Sequence, residues 1–234
     1  MTTGLTLLAF DFDGTLAPIH DDPAAEQLHR GAAALLDEAS HMQGIVVAIV
    51  SGRDADDVRG RVDAPGAYLI TSRGLSIHAP GGARIHETPP LAIEPHSDLG
   101  REITATGLRL ESKKHGLALH WRGVPYEAIA PVEQLFRRWA TDSHLDVIEG
   151  PFVVEARRPG GGKEPALRWL ARALGATRVV YAGDDITDFG PLRFASECGR
   201  ALFVASGERV PPAGVTVVGS FRELFRIVRE EVMI

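Results

Sequence analysis

Hydrophobic residues along this chain fall into short, nearly unbroken runs that end on acids or hydroxyls. Leu5 and Leu7-Leu8-Ala9-Phe10 stop at Asp11-Phe12-Asp13-Gly14-Thr15. Ile45-Val46-Val47-Ala48-Ile49-Val50 stops at Ser51-Gly52-Arg53, and Val179-Val180-Tyr181-Ala182 stops at Gly183-Asp184-Asp185-Ile186-Thr187-Asp188. Runs that do not alternate belong to strands covered on both faces, the pattern of a parallel α/β sheet. Tyr68-Leu69-Ile70-Thr71, Ala201 to Val204 and Val215 to Val218 extend the set. Between them, helical spacing runs through Ala24, Leu28, Ala32, Leu35, Leu36 and Ala39, with Asp22 before Pro23 as a cap. Asp54 caps a second helix, Lys163 opens one through Leu167, Leu170, Ala171 and Leu174, and Phe221 to Val232 is an amphipathic last helix. This alternation predicts a doubly wound, Rossmann-like parallel sheet.

The texture changes near Pro80, where Gly81-Gly82, Pro89-Pro90 and Pro95 mark loops. Leu108 to Ser112, Leu117 to Trp121, Leu145 to Ile148 and Phe152 to Ala156 read as short strands, the last two joined by a turn at Glu149-Gly150-Pro151. Glu127 to Ala140 reads as a helix, and Pro159 to Gly162 closes the block. The expected organisation is an α/β core of residues 1–80 and 160–234, interrupted by a smaller α+β domain at 81–159.

Composition narrows the function classes. With 44% apolar and 24% charged residues the chain is ordinary for a globular protein, and its formal charge of −6 gives no basic field for nucleic acid or an anionic membrane. Met1-Thr2-Thr3-Gly4 shows no basic targeting stretch, and no apolar run reaches membrane-spanning length, so a cytoplasmic protein is expected. Cys198 is the single cysteine, which excludes an intrachain disulfide and reads as a small apolar residue.

The strand ends carry the chemistry. In a parallel sheet the carboxyl ends of strands lie along one edge, so Asp11, Asp13, Ser51, Asp184, Asp185 and Asp188 are expected in one site. Two acids one residue apart offer a nucleophile and a proton-transfer group. The N–H groups around Thr15 are a candidate anion nest. An Asp-Gly turn with solvated acids is the plain alternative for Asp11 to Gly14, but the convergence of the other strand ends argues against it. Carboxylates without His or Cys partners suit a hard cation, Mg²⁺ where phosphate oxygens complete the shell. The Asp184 segment is no calcium loop, because Phe189 stands where that loop needs Gly. Lys163 after three glycines is no P-loop either, since Arg157 and Glu164 occupy the positions of its first Gly and its Ser/Thr. Beside a carboxylate nucleophile, Lys163 and the Ser51 hydroxyl are suited to hold a phosphoryl group.

Asp11-Phe12-Asp13-Gly14-Thr15-Leu16, Ser51-Gly52-Arg53, Lys163 and Gly183-Asp184-Asp185 resemble, in order, the four motifs of the haloacid dehalogenase-like phosphatase superfamily. Within it, Glu111-Ser112-Lys113, Leu117-Ala118-Leu119-His120-Trp121-Arg122 and Val153 to Pro159 resemble segments of the trehalose-6-phosphate phosphatases. The resemblance implies a core of that superfamily with a C2-type cap. It implies that Asp11 becomes an aspartyl phosphate, that Asp13 is the acid and base, and that Ser51 and Lys163 grip the phosphoryl group. Thr15, Gly52 and Arg53 would surround the phosphate. Mg²⁺ would be held by Asp11, the Asp13 carbonyl and Asp184, with Asp185 and Asp188 in or just behind the shell. Glu111, Lys113 and Glu155 would read sugar hydroxyls, with Arg73, His120 and Arg122 nearby, and the cap would close to exclude water. Without the resemblance, Glu111 and Lys113 read as the exposed face of an alternating strand.

Three positions depart from the family, Arg73 where it has His or Asn, Phe189 where it often has Glu, and Glu164 where it commonly has Gly, and the first two are expected to reshape the sugar pocket. The expectation is a monomeric phosphatase of a small sugar phosphate, trehalose 6-phosphate or a different glycosyl or cyclitol phosphate. A phosphomutase and a non-catalytic sugar-phosphate-binding domain are the alternatives.

Overall fold

The computed structural model describes residues 4–19, 28–87, 97–113, 116–150, 152–159, 162–205 and 209–231. Contacts divide the chain into two units, Met1–Glu87 with Gly162–Ile234, and Thr88–Gly161.

The larger unit begins with β1 (Thr6–Asp11), α1 (Ala32–Ser40), β2 (Ile45–Val50), α2 (Ala55–Arg61), β3 (Tyr68–Thr71), β4 (Ser76–His78) and β5 (Arg84–Glu87). The smaller unit supplies α3 (Asp98–Thr106), β6 (Arg109–Lys113), β7 (Gly116–His120), α4 (Tyr126–Asp142), β8 (Asp146–Gly150) and β9 (Val153–Arg157). The chain then returns with α5 (Lys163–Leu174), β10 (Arg178–Gly183), α6 (Phe189–Cys198), β11 (Gly199–Val204), β12 (Thr216–Val218) and α7 (Phe221–Glu231).

The larger sheet has the order β12-β11-β10-β1-β2-β3-β4-β5. It is parallel from β12 to β3, with β4 and β5 added antiparallel at one edge. β1 is central and buried throughout, because its alternate residues feed two cores. Leu8 and Phe10 join the core containing Leu35, Leu36, Leu224 and Val228 of α1 and α7, while Leu7 and Ala9 join that of Leu167, Leu170 and Leu192 of α5 and α6. Burying a side chain such as Leu7, Leu8 or Phe10 contributes about 2 kcal/mol each. The doubly wound layer is therefore as the apolar runs indicate, and β1 lies between β2 and β10, where a site at strand ends forms.

Several elements differ from the sequence reading. The first helix begins at Ala32 because Gly31 adopts φ 91 at its N-cap, so Leu28 precedes it. Ala24 and the Asp22 cap lie outside the described residues, as do Pro151 and Val232. Asp54 sits at the α2 N-cap but makes no capping bond there, and its carboxylate instead accepts from the Ser72 hydroxyl at 2.6 Å. The β4–β5 hairpin extends the larger unit to Glu87, past the expected join after residue 80, because its strands are short and β5 is mostly exposed, leaving no apolar run. Helix α3 escapes periodicity because only Leu99, Gly100 and Ile103 are buried, although Ser97 caps it by accepting from the Gly100 N–H at 3.1 Å. Cys198 is exposed at the end of α6 rather than packed.

The smaller unit is α+β, as expected. Its antiparallel sheet, ordered β6-β7-β9-β8, packs Leu117, Leu119, Val154 and Ala156 against Leu99 and Ile103 of α3 and Val132 and Phe136 of α4. No helix among the described residues is long and apolar enough to cross a membrane.

Candidate active site

The chain turns sharply after β1. The Phe12 carbonyl accepts from the N–H groups of Thr15, Leu16 and Ala17, and the Gly14 N–H donates to the Ala17 carbonyl at 2.7 Å. Gly14 holds φ +89, and a Cβ placed on it would lie 2.2 Å from an Asp184 carboxylate oxygen. Only glycine permits both the backbone and the close approach of the β10 loop to the β1 loop. Gly14→Ala is therefore expected to displace Asp184 and to destabilise the fold by about 2 kcal/mol, as read by thermal melting. Thr15 is fully buried and its hydroxyl has no hydrogen-bond partner among the described residues.

Four polar side chains meet behind this loop. Lys163, first residue of α5, donates to Asp11 Oδ1 at 2.6 Å and to Asp188 Oδ1 at 2.7 Å. Tyr181 in β10 donates its hydroxyl to the same Asp188 oxygen at 2.6 Å. Asp188 Oδ2 accepts from the Asp184 and Asp185 N–H groups at 3.2 and 3.1 Å. Gly183 makes room for this, since a Cβ there would lie 2.5 Å from the Asp188 carboxyl carbon. Burial opposes charge on Lys163, but Asp11 and Asp188 outweigh it and hold its pKa above the ordinary lysine value. Burial raises the pKa of Asp11 well above the usual carboxylate range, Lys163 pulling it down while Asp188 and Asp184 push it up. The Tyr181 hydroxyl is raised in the same way, by burial first and then by the acids, and remains a donor.

Tyr181 lay in a strand read only as core, so sequence reasoning missed it; its one signal is a phenol two residues before Gly183-Asp184-Asp185 in an otherwise aliphatic strand. Tyr181→Phe removes one of the donors that fix Asp188 and, through it, Lys163. About 1–3 kcal/mol of stability should be lost. A urea melt of the variant reads that loss.

Asp11, Asp184 and Asp188, all buried, each offer an oxygen within 4.8 Å of the others. An all-oxygen donor set with no nitrogen or sulfur fits a hard divalent cation. Since Asp188 already accepts from Lys163, Tyr181 and two backbone N–H groups, it stands behind the other two acids and holds them in place. The Asp13 and Asp185 carboxylates are turned elsewhere: Asp185 pairs with Arg209 at 3.1 Å and caps the short turn Ile186–Asp188.

Asp13 belongs to a second group on the same edge. Its carboxylate accepts from Arg53 at 2.8 and 3.0 Å through Nε and pairs with Nη2 at 2.7 Å. Arg53 also donates to Asp57, which accepts from Arg61, so the acid ends an alternating chain of charges. Ser51 is buried, and its hydroxyl accepts from the Arg53 N–H at 3.1 Å. The segment Ser72–Gly74 lies alongside: Ser72 N–H donates to the Arg53 carbonyl and Arg73 N–H to that of Ser51. Ser72, Arg73 and Gly74 all hold positive φ, and the exposed Arg73 brings its Cγ to 3.6 Å from the Cβ position of Gly52. Thus Ser51, Gly52, Arg53 and Arg73 are brought together with Asp13.

The remaining expected residues lie in the smaller unit. Glu111, Ala118 and Glu155 are directly opposite one another across β6, β7 and β9, which puts both acids on the sheet face away from the helices. His120 Nε2 is 2.7 Å from Glu111 Oε2, and Glu155 lies over Gly116, whose Cβ position is 3.3 Å from Oε1. Lys113 occupies the register position opposite Gly116. Arg122 is exposed in the turn after β7.

A sequence model described as trehalose-phosphatase matches residues 9–190. The chain belongs to the trehalose-phosphatase family. It is 35% identical over 192 residues to a trehalose-phosphate phosphatase of Mycobacterium avium (strain 104), an alignment covering 76% of this chain and 48% of that protein. The chain spans about half the length of the curated relatives it matches. The structure superposes on Aspergillus fumigatus trehalose-6-phosphate phosphatase with a TM-score of 0.70 at 21% identity, covering 96% of this chain and 91% of that one. A haloacid dehalogenase-like hydrolase from Bacteroides thetaiotaomicron gives 0.67 at 16% identity, covering 96% and 98%. The fold is that of the haloacid dehalogenase-like proteins, and the four family motifs fall at the strand ends and at the α5 start described above.

Proposed function

We propose that this chain is a Mg²⁺-dependent phosphomonoesterase whose substrate is trehalose 6-phosphate. The observation that carries the reading is the buried contact of Asp11 with Lys163 at 2.6 Å, at the end of the central strand of a trehalose-phosphatase family member. A lysine held beside a carboxylate in this way is suited to neutralise a phosphoryl group as it approaches that carboxylate.

In the first step an Asp11 oxygen attacks phosphorus, the bond from phosphorus to the sugar oxygen breaks, and Asp13 gives that oxygen its proton. In the second, water attacks the aspartyl phosphate while Asp13 takes the water's proton, which releases inorganic phosphate and restores Asp11. Lys163 and Ser51 hold the phosphoryl oxygens throughout. Arg53 bonds the Asp13 carboxylate in this structure and so orients it. Asp11 and Asp184, backed by Asp188, would hold Mg²⁺, whose charge would offset that of the phosphoryl oxygens. Sugar recognition is assigned to Glu111, Lys113 and Glu155, since carboxylates accept from hydroxyls and ammonium donates to them.

Phosphate release from a panel of sugar and cyclitol phosphates, with Mg²⁺ and with a chelator, tests this. Trehalose 6-phosphate should give the highest kcat/KM, and the chelator should reduce release to background. Turnover of another phosphate with trehalose 6-phosphate inert would remove the substrate assignment and leave the chemistry. An isomeric sugar phosphate without free phosphate would make the protein a mutase. Binding with no release under any condition would make it a non-catalytic domain.

A further inference from the structure

We propose that the groove between Arg30–Gly31 and α7 is a second anion site, for a small phosphate-bearing ligand, separate from the Asp11 centre. A cavity of about 530 Å³ lies there, lined by Arg30, Arg222, Arg226 and Arg229, with Phe225 and Glu230. That volume lies within the range typical of small-ligand pockets. The lining sets four arginines against one glutamate in a chain whose net charge is −6, so positive charge is concentrated at this place.

An arginine face kept only for solvation is normally interleaved with acids that cancel it. Part of this face follows that pattern: Arg226 pairs with Glu230 at 2.6 Å, and Arg229 with Glu38 at 3.1 Å. Arg30 and Arg222 do not. Among the described residues neither has a carboxylate within ion-pair distance, and neighbouring Glu223 is engaged at the start of α7, accepting from the Gly219 N–H at 2.8 Å. Arg222, Arg226 and Arg229 are spaced i, i+4 and i+7, so they form one stripe, opposite the buried Leu224 and Val228. Across the groove, α1 has Gly31 at its N-cap with no capping side chain and no acid in its first turn, so its own side chains do not compensate its positive end. The Arg30 wall is fixed in place, since the His29 N–H donates to the Leu16 carbonyl at 2.8 Å and the His29 ring stacks on Phe221. Guanidinium groups lining one groove repel unless an anion lies between them, and their planar donors match phosphate.

Calorimetric titration of the full chain with inorganic phosphate, at constant ionic strength, decides the matter. Two binding steps are expected, one at the catalytic centre and one here. Arg30→Gln with Arg222→Gln should weaken one step by about tenfold or more and leave the other unchanged. Turnover of p-nitrophenyl phosphate should be unaffected, because neither arginine is in the catalytic group. If the pair of changes prevents folding, Arg222→Gln alone gives the same reading with a smaller loss. A single step that the variant leaves unchanged, two steps of unchanged affinity in the variant, or displacement by chloride as readily as by sulfate would each overturn the site. Because the readout is binding, a failure here is distinct from a failure of the phosphatase reading.

Discussion

Asp11→Asn is expected to stop phosphate release, by about 10⁴-fold or more, while the protein stays folded and melts at the same or a higher temperature. The amide keeps the shape of the carboxylate and can still accept from Lys163, which donates to Asp11 at 2.6 Å, but it is no nucleophile. The stability half of the prediction follows from the charges. Asp11, Asp184 and Asp188 are buried together, with Lys163 as the cation bonded to two of them. Burial raises the Asp11 pKa well above its usual range despite Lys163. A carboxyl whose folded pKa is raised favours the fold at low pH, and that contribution is lost as pH rises through the folded value. The raised folded pKa therefore works against the fold as pH rises, and a neutral amide removes that opposition. Stopped turnover with an unchanged or raised melting temperature is the expected pair. Retained turnover would sink the covalent mechanism, and a marked fall in melting temperature would show that the ionised Asp11 stabilises the fold.

The central layer was legible because its strands are buried on both faces: β1, β2 and β10 each print as an unbroken apolar run, and each ends where a polar motif begins. What escaped has a different physical character. β5 is an exposed edge strand and α3 buries few apolar residues, so neither leaves a period to read. Helix α6 is disguised by Gly190 and Pro191 in its first turn, where proline is tolerated because the N–H groups have no intrahelical partner. In the site, motif order placed Asp11, Lys163 and Asp184 together, but one-dimensional spacing could not say which acids share a cluster. Asp185 and Asp188 are three residues apart in one turn, yet the first points to Arg209 while the second is held by Lys163 and Tyr181. Nor could spacing show that Arg53 grips Asp13, a contact made across forty positions of sequence.

Lys163→Met should separate the two parts of this network, with a stability effect opposite in sign to that of Asp11→Asn. Methionine matches the length of the lysine stem but leaves Asp11 and Asp188, both nearly or fully buried, without their shared cation. Removing one partner of a buried ion pair typically costs about 3–5 kcal/mol, because the remaining charge is left uncompensated. A loss of about 3 kcal/mol in a urea melt is expected here, with turnover reduced by about 10³-fold or more as the phosphoryl oxygens lose their counter-charge. A pH titration cannot replace the substitution. A lysine whose folded pKa is raised contributes fully at every pH below its unfolded value, and the contribution is lost only as pH rises through the higher folded one. Lys163 therefore stays charged across the working range. The double variant Lys163→Met with Asp188→Asn supplies the decisive comparison, since neutralising Asp188 removes one of the stranded charges. Stability should recover in part, by about 1–2 kcal/mol, while turnover does not. Recovery of both together would mean that Lys163 serves only to balance the buried acids, and the phosphoryl grip would have to be sought in Ser51 and Arg53 instead.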